Sequence, residues 1–114
     1  MERIARLGLL CDFYGRLLTE RQLLACRLQG DEDRSLAEIA EELCISRQAV
    51  HDLIRRSQET MESYEEALGL IETSLKRERA LEKSAGELEE LAKVLDEPPA
   101  SRILKLAEEI RRWR

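Results

Sequence analysis

Seven residues in one short stretch, Ser46, Arg47, Gln48, His51, Asp52, Arg55 and Arg56, have the types and spacing that recognise nucleic acid. Arginine and glutamine side chains present paired hydrogen-bonding groups that match guanine and adenine edges, and the later arginines suit phosphate oxygens. Asp52 can accept from a cytosine amine, although its charge repels phosphate. Val50 and Leu53 take the inward positions of a helix that starts after Ser46, which leaves the polar set facing outward.

Positioning those side chains falls to residues 36–56, LAEIAEELCISRQAVHDLIRR. Apolar or small residues at Leu36, Ile39, Ala40 and Leu43 follow a helical period that breaks at Cys44-Ile45-Ser46 and resumes at Ala49, Val50, Leu53 and Ile54. Ser46 is an N-cap for the second helix, its hydroxyl accepting a backbone N–H. Ala40, with only a methyl group, sits where the two helices cross most closely. The pattern is a helix-turn-helix, whose second helix offers its outward side chains to a partner, most often the DNA major groove.

The chain of 114 residues is expected to be all-α: proline occurs only at Pro98 and Pro99, glycine is scarce, and Ala, Leu, Glu and Arg dominate. Charged residues make up 38%, more than a compact sphere needs, which points to long helices with much exposed side. No apolar run reaches the length of a membrane span and no signal-peptide core opens the sequence, so a cytoplasmic protein is expected. Cys11, Cys26 and Cys44 fall on apolar helix positions and are expected as small buried core residues rather than metal ligands.

An apolar stripe from Ile4 to Leu17 predicts a first helix. Thr19 with Gln22, and Ser35 with Glu38, are capping boxes that open a second helix over residues 20–29 and a third after the acidic loop of residues 30–34. The fourth helix carries Val50, Ile54, Ser57, Met61, Tyr64, Leu68, Ile71 and Leu75 at alternating four- and three-residue spacing, a heptad repeat that needs a cover. Gly69 and the Ser84-Ala85-Gly86 run are its weak points, and the break is expected near Gly86. Pro98 and Pro99 end this helix, and Ser101 caps a last one over residues 102–112, with Trp113 on its apolar side. These elements divide into a four-helix helix-turn-helix domain over residues 1–60 and a helical extension over residues 61–114, a long C-terminal helix and a short last one. Dimerisation or packing is the expected role of the extension. Two reading heads on a two-fold axis match palindromic sites, and a homodimer with irregular helix packing is the expected assembly.

Charge argues against simple DNA binding. Residues 35–60 set three arginines against Glu38, Glu41, Glu42, Asp52 and Glu59, where a DNA-reading module shows a basic face. Enzyme chemistry finds no support either. His51 is the one histidine, no glycine-rich phosphate loop occurs, and pairs such as Glu41-Glu42 and Glu89-Glu90 read as solvated helix faces. A non-enzymatic protein is expected, with no cofactor, no metal and no small-molecule substrate.

LTERQLLACRLQGDEDRSLAEIAEELCISRQAVHDLIRR resembles the fourth conserved region of bacterial sigma factors, where a Leu-Thr opening precedes the helix-turn-helix. More closely, Asp12-Phe13-Tyr14, Leu18-Thr19, Ser46-Arg47-Gln48-Ala49-Val50 and the later SYEEAL resemble the YlxM family of small bacterial helix-turn-helix proteins. The resemblance covers residues 10–76. Cys44 stands where such turns commonly carry glycine. The resemblance implies a regulator or adaptor associated with the signal recognition particle and co-translational targeting, acting through the particle's RNA or its GTPase. By the same resemblance Ser46, Arg47, Gln48, His51, Asp52 and Arg55 lie on the nucleic-acid-reading helix. A DNA-binding transcription regulator, and a protein-interaction module that binds no nucleic acid, are the alternatives.

Overall fold

The computed structural model describes residues 2–113, and among them all regular structure is helical. In chain order the elements are α1 (Arg3–Tyr14), a 3-10 turn (Gly15–Leu17), α2 (Glu20–Gly30), α3 (Leu36–Leu43), α4 (Arg47–Leu68), α5 (Leu70–Ala92) and α6 (Pro99–Arg112). They group into two compact units, Met1–Ile71 and Glu72–Arg114. Residue 60 lies inside α4, whose next residue, Met61, is fully buried.

Local chemistry starts the helices of the first unit. Thr19 Oγ1 accepts from the Gln22 N–H at 3.2 Å while Gln22 Oε1 accepts from the Thr19 N–H at 2.9 Å, a complete capping box. Ser35 and Glu38 repeat it at 3.2 and 3.1 Å, and the Ser35 bonds, backbone first, hold the Glu38 carboxyl below the usual glutamate value. Leu7, Leu10, Cys11 and Tyr14 of α1 pack with Ala25, Cys26 and Leu28 of α2, Ile39 and Ala40 of α3, and Val50, Ile54 and Met61 of α4. Ser57, buried in this core, donates back to the Leu53 carbonyl at 2.7 Å, so its hydroxyl is satisfied. Helices α1 and α2 meet through glycines: a Cβ on Gly30 would lie 3.1 Å from the Gly8 nitrogen. Arg27 then ties the pair by its contact to Asp12 of α1 at 2.7 Å, and it also pairs with Asp31 at the end of its own helix at 2.9 Å.

Cys11 and Cys26 are buried free thiols, as their apolar positions predict, and the Cys26 contact together with burial pushes the Cys11 thiol up. Cys44 departs from that expectation. It is exposed, because it forms the left-handed end of α3 rather than a core position.

The break in the long helix falls at Gly69, not near Gly86. Gly69 adopts φ +62° and caps α4, its N–H reaching the Glu65 carbonyl at 2.8 Å. Glu65 holds the corner from the other side, since its Oε1 accepts from the Ile71 N–H at 2.9 Å and from the Tyr14 hydroxyl at 2.5 Å. The Leu70 N–H donates in turn to the Tyr14 oxygen at 3.3 Å. Two of the unpaired N–H groups that open α5 are thereby satisfied by side chains from α1 and α4. Gly86, by contrast, stays helical within α5.

In the second unit small residues, Ala85 and Ala92 on α5 and Ala100 and Ala107 on α6, are the buried ones. Arg111 joins the two helices, its guanidinium forking onto Glu89 at 2.5 and 2.7 Å and reaching Glu82 at 3.1 Å. The last helix starts at Pro99, three residues before the expected first residue Arg102, with proline at its first position, where a missing N–H is harmless. Ser101 instead donates to the Glu97 carboxylate. Trp113 is 81% exposed and does not continue the apolar side of α6. No helix among the described residues is long and apolar enough to cross a membrane.

Candidate nucleic-acid interface

The candidate face is built by α3, the turn of Cys44–Ser46 and the first turns of α4. Helix α3 ends because Cys44 takes φ 58°, ψ 41°, its N–H bonding to the Ala40 and Glu41 carbonyls while the Ile45 N–H returns to Ala40 at 3.1 Å. This is the hydrogen-bond pattern that glycine usually supports at a helix end, here carried by a cysteine whose Sγ also lies 3.8 Å from the Glu41 carbonyl. Ser46 then opens α4, its Oγ accepting from the Ala49 N–H at 3.0 Å. Val50 and Ile54 are buried against the other helices, which fixes the rotation of α4 about its axis.

That rotation turns the expected residues outward together. Ser46, Arg47, Gln48, Arg55 and Arg56 are exposed, with His51 and Asp52 partly so. Their chemistry is not all uncommitted. Gln48 Nε2 donates to Asp52 Oδ1 at 3.1 Å, and His51 Nδ1 lies 3.5 Å from the same oxygen without a hydrogen bond. Arg55 pairs with Glu59 at 2.9 Å. Arg47 and Arg56 make no side-chain hydrogen bond or ion pair among the described residues, so two full positive charges face solvent on either side of Asp52.

Two hollows flank this face. One, of about 380 Å³, is lined by Gln22, Ala49, Asp52, Leu53 and Arg56, bringing the start of α2 beside α4. Gln22 is the residue that reading the sequence misses. Its capping role is legible, but its place beside Arg56 depends on how α2 packs on α4. The other hollow, of about 390 Å³, includes Arg3, Arg55, Glu59, Glu62 and Glu66, and marks where the outward side of α4 turns acidic. Arg6 partly offsets that charge by contacting Glu62 at 2.7 Å. The part of α4 suited to an anionic partner is thus confined to its first turns.

No cluster of three or more metal-ligating side chains occurs among the described residues. The first unit is a helix-turn-helix domain of an all-α protein. Residues 1–97 match the family described as "Putative helix-turn-helix protein, YlxM / p13 like", and the chain belongs to that family. The match extends beyond the stretch of residues 10–76 that carries the resemblance in the sequence, and takes in all of α1 and α5. Among its relatives, the UPF0122 protein of Symbiobacterium thermophilum is 50% identical over 82 residues, 72% of this chain and 77% of that protein. That of Clostridium botulinum is 43% identical over 96 residues, 84% and 88% of the two chains. A Lactococcus lactis member is 46% identical over 82 residues, 72% and 74% of the two.

Proposed function

We propose that this protein is a non-enzymatic cytoplasmic adaptor of the signal recognition particle, holding the particle's RNA with the face of α4 that runs from Ser46 to Arg56. The observation that carries the nucleic-acid reading is the outward grouping of Arg47, Gln48, Arg55 and Arg56 on a helix whose entry is fixed by the Ser46 cap. The particle itself enters through the family resemblance.

RNA is favoured over duplex DNA by the balance of charge. A reader of duplex DNA draws most of its affinity from phosphate contacts, each needing a cation. Here Arg55 is paired with Glu59, Asp52 stands between the two uncommitted arginines, and the whole chain carries a formal charge of −5. Such a surface suits a few local contacts to an irregular RNA, with the GTPase of the particle as a second partner, better than a long track of phosphates. A homodimer built through residues 61–114 would present two such faces.

The test is a titration of the purified protein against signal recognition particle RNA, random-sequence duplex DNA and the particle's GTPase with and without its RNA. Salt-sensitive binding to the RNA that is lost in the Arg47→Ala, Arg56→Ala double variant supports the proposal. Tighter binding to the duplex makes the protein a DNA-binding regulator. Binding to the GTPase alone, indifferent to those arginines, makes it a protein-interaction module.

A further inference from the structure

The hollow between α2 and α4 has a composition that the phosphate-binding role of the arginines does not use. Its apolar part is Ala49 and Leu53, both partly exposed, and its polar groups are Gln22, Asp52 and Arg56. An acid here works against phosphate, and the side chain is not spent on an ion pair with an arginine: its recorded neighbours are Gln48, which bonds one oxygen, and His51. A carboxylate offers about four lone-pair positions, so both oxygens keep the capacity to accept further hydrogen bonds. Arg56 lies one helical turn beyond Asp52 on the same side of α4, with its guanidinium uncommitted. Gln22 spends Oε1 on the Thr19 N–H, which leaves its amide NH2 free to donate.

We propose that this hollow binds one unstacked guanine of an RNA loop or bulge. Guanine is the base whose Watson–Crick edge carries two adjacent donors, N1–H and the N2 amine, which a carboxylate accepts as a pair. Its neighbouring O6 and N7 accept from an arginine fork, the arrangement commonest in guanine recognition. Ala49 and Leu53 give the ring an apolar surface, and the volume of about 380 Å³ admits a base. Adenine places an amine where guanine has O6, opposite the arginine, and has no N1–H for the acid. An A-form duplex hides its base edges in a deep, narrow major groove, so sequence-specific recognition of RNA falls on unpaired bases. The hollow lies beside the helix that presents Arg47, Gln48 and Arg55, so those residues hold the flanking backbone while Asp52 and Arg56 take the base.

This inference rests on the RNA-binding reading above. Its test uses the full chain and fluorescence anisotropy with short RNA hairpins that differ only at one bulged nucleotide, guanine, adenine, uracil or hypoxanthine. The expected result is a preference of about tenfold for guanine over adenine and uracil, with hypoxanthine, which lacks the N2 amine, falling between. The Asp52→Asn variant retains the oxygen that Gln48 bonds, keeps the helix surface intact, and lowers the guanine-to-adenine ratio, and Asp52→Asn combined with Arg56→Ala brings that ratio close to one. Equal affinity for all four hairpins, or a guanine-to-adenine ratio unchanged by Asp52→Asn, overturns the guanine site and leaves RNA binding standing. Binding to none of the hairpins and to no particle RNA overturns both.

Discussion

The phenol of Tyr14 donates to the carboxylate of Glu65 at 2.5 Å, and that bond joins the first helix of the chain to the corner where α4 gives way to α5. The same carboxylate accepts the Ile71 N–H, and the phenolic oxygen accepts the Leu70 N–H, so two side chains finish the start of α5. Through α1, the corner is fastened to the core that also carries the helix-turn-helix.

Replacing Tyr14 with phenylalanine keeps the buried ring and removes the hydroxyl, leaving Glu65 without that donor and the Leu70 N–H without its acceptor. The melting temperature is expected to fall by several degrees, with amide exchange rising first at Leu70 and Ile71. Burial, with the Glu65 hydrogen bond next, raises the Tyr14 phenol above its ordinary value of 10.0. The neutral phenol is therefore the folded form. Its contribution is complete below pH 10 and is lost as pH rises from there through the folded value. A far-UV circular dichroism titration should show an alkaline loss of stability that is smaller in Tyr14→Phe.

The position of the corner also shows what a sequence conceals. The caps at Thr19, Ser35 and Ser46 are legible because each depends on side chains within three residues of its helix start. Gly69 and Gly86 look alike by that local measure, and the heptad repeat runs through both. What separates them is Tyr14, more than fifty positions away in the chain, gripping the backbone just after Gly69. Gly86 takes no positive φ and stays inside α5. The outward set on α4 is legible for the opposite reason, since Val50 and Ile54 fix its rotation by local period alone. Its internal pairings, Gln48 with Asp52 and Arg55 with Glu59, follow from the four-residue spacing but are decided by rotamers.

Cys44 sits in the left-handed region at φ 58°, where a side chain costs about 1 kcal/mol or more relative to glycine. The Cys44→Gly variant is expected to be more stable by up to about 1 kcal/mol, the gain being reduced by the greater freedom of glycine in the unfolded chain. Cys44→Val, with a β-branched side chain at positive φ, is expected to lose stability. Urea unfolding of the three proteins at constant m-value measures both changes.

Arg111 holds the second unit together through Glu89 and Glu82, and its hydrogen bond keeps the Glu89 carboxyl below its ordinary value of 4.5. A depressed folded value stabilises the ionised form. The contribution is present above pH 4.5 and is lost as pH falls from there through the folded value. Protection of the α6 amides, taken relative to exchange from an unfolded chain at the same pH, is expected to fall on acidification across that window, and the Arg111→Ala variant is expected to lose this acid dependence. Hydrogen exchange read by mass spectrometry on the residues of α6 distinguishes the two proteins.

Binding through this face of α4 requires its two uncommitted cations, Arg47 and Arg56, to meet phosphate or base edges. It is tested most directly by the salt dependence of binding to signal recognition particle RNA, in the parent protein and in the Arg47→Ala, Arg56→Ala variant. Each phosphate contact contributes roughly 0.7 to 0.9 to the slope of log K against log salt. Affinity is expected to fall in the variant, with a slope shallower by roughly 0.7 to 0.9 for the phosphate contact of Arg47, Arg56 being placed on a base. An unchanged affinity and an unchanged slope would show that neither arginine meets the RNA.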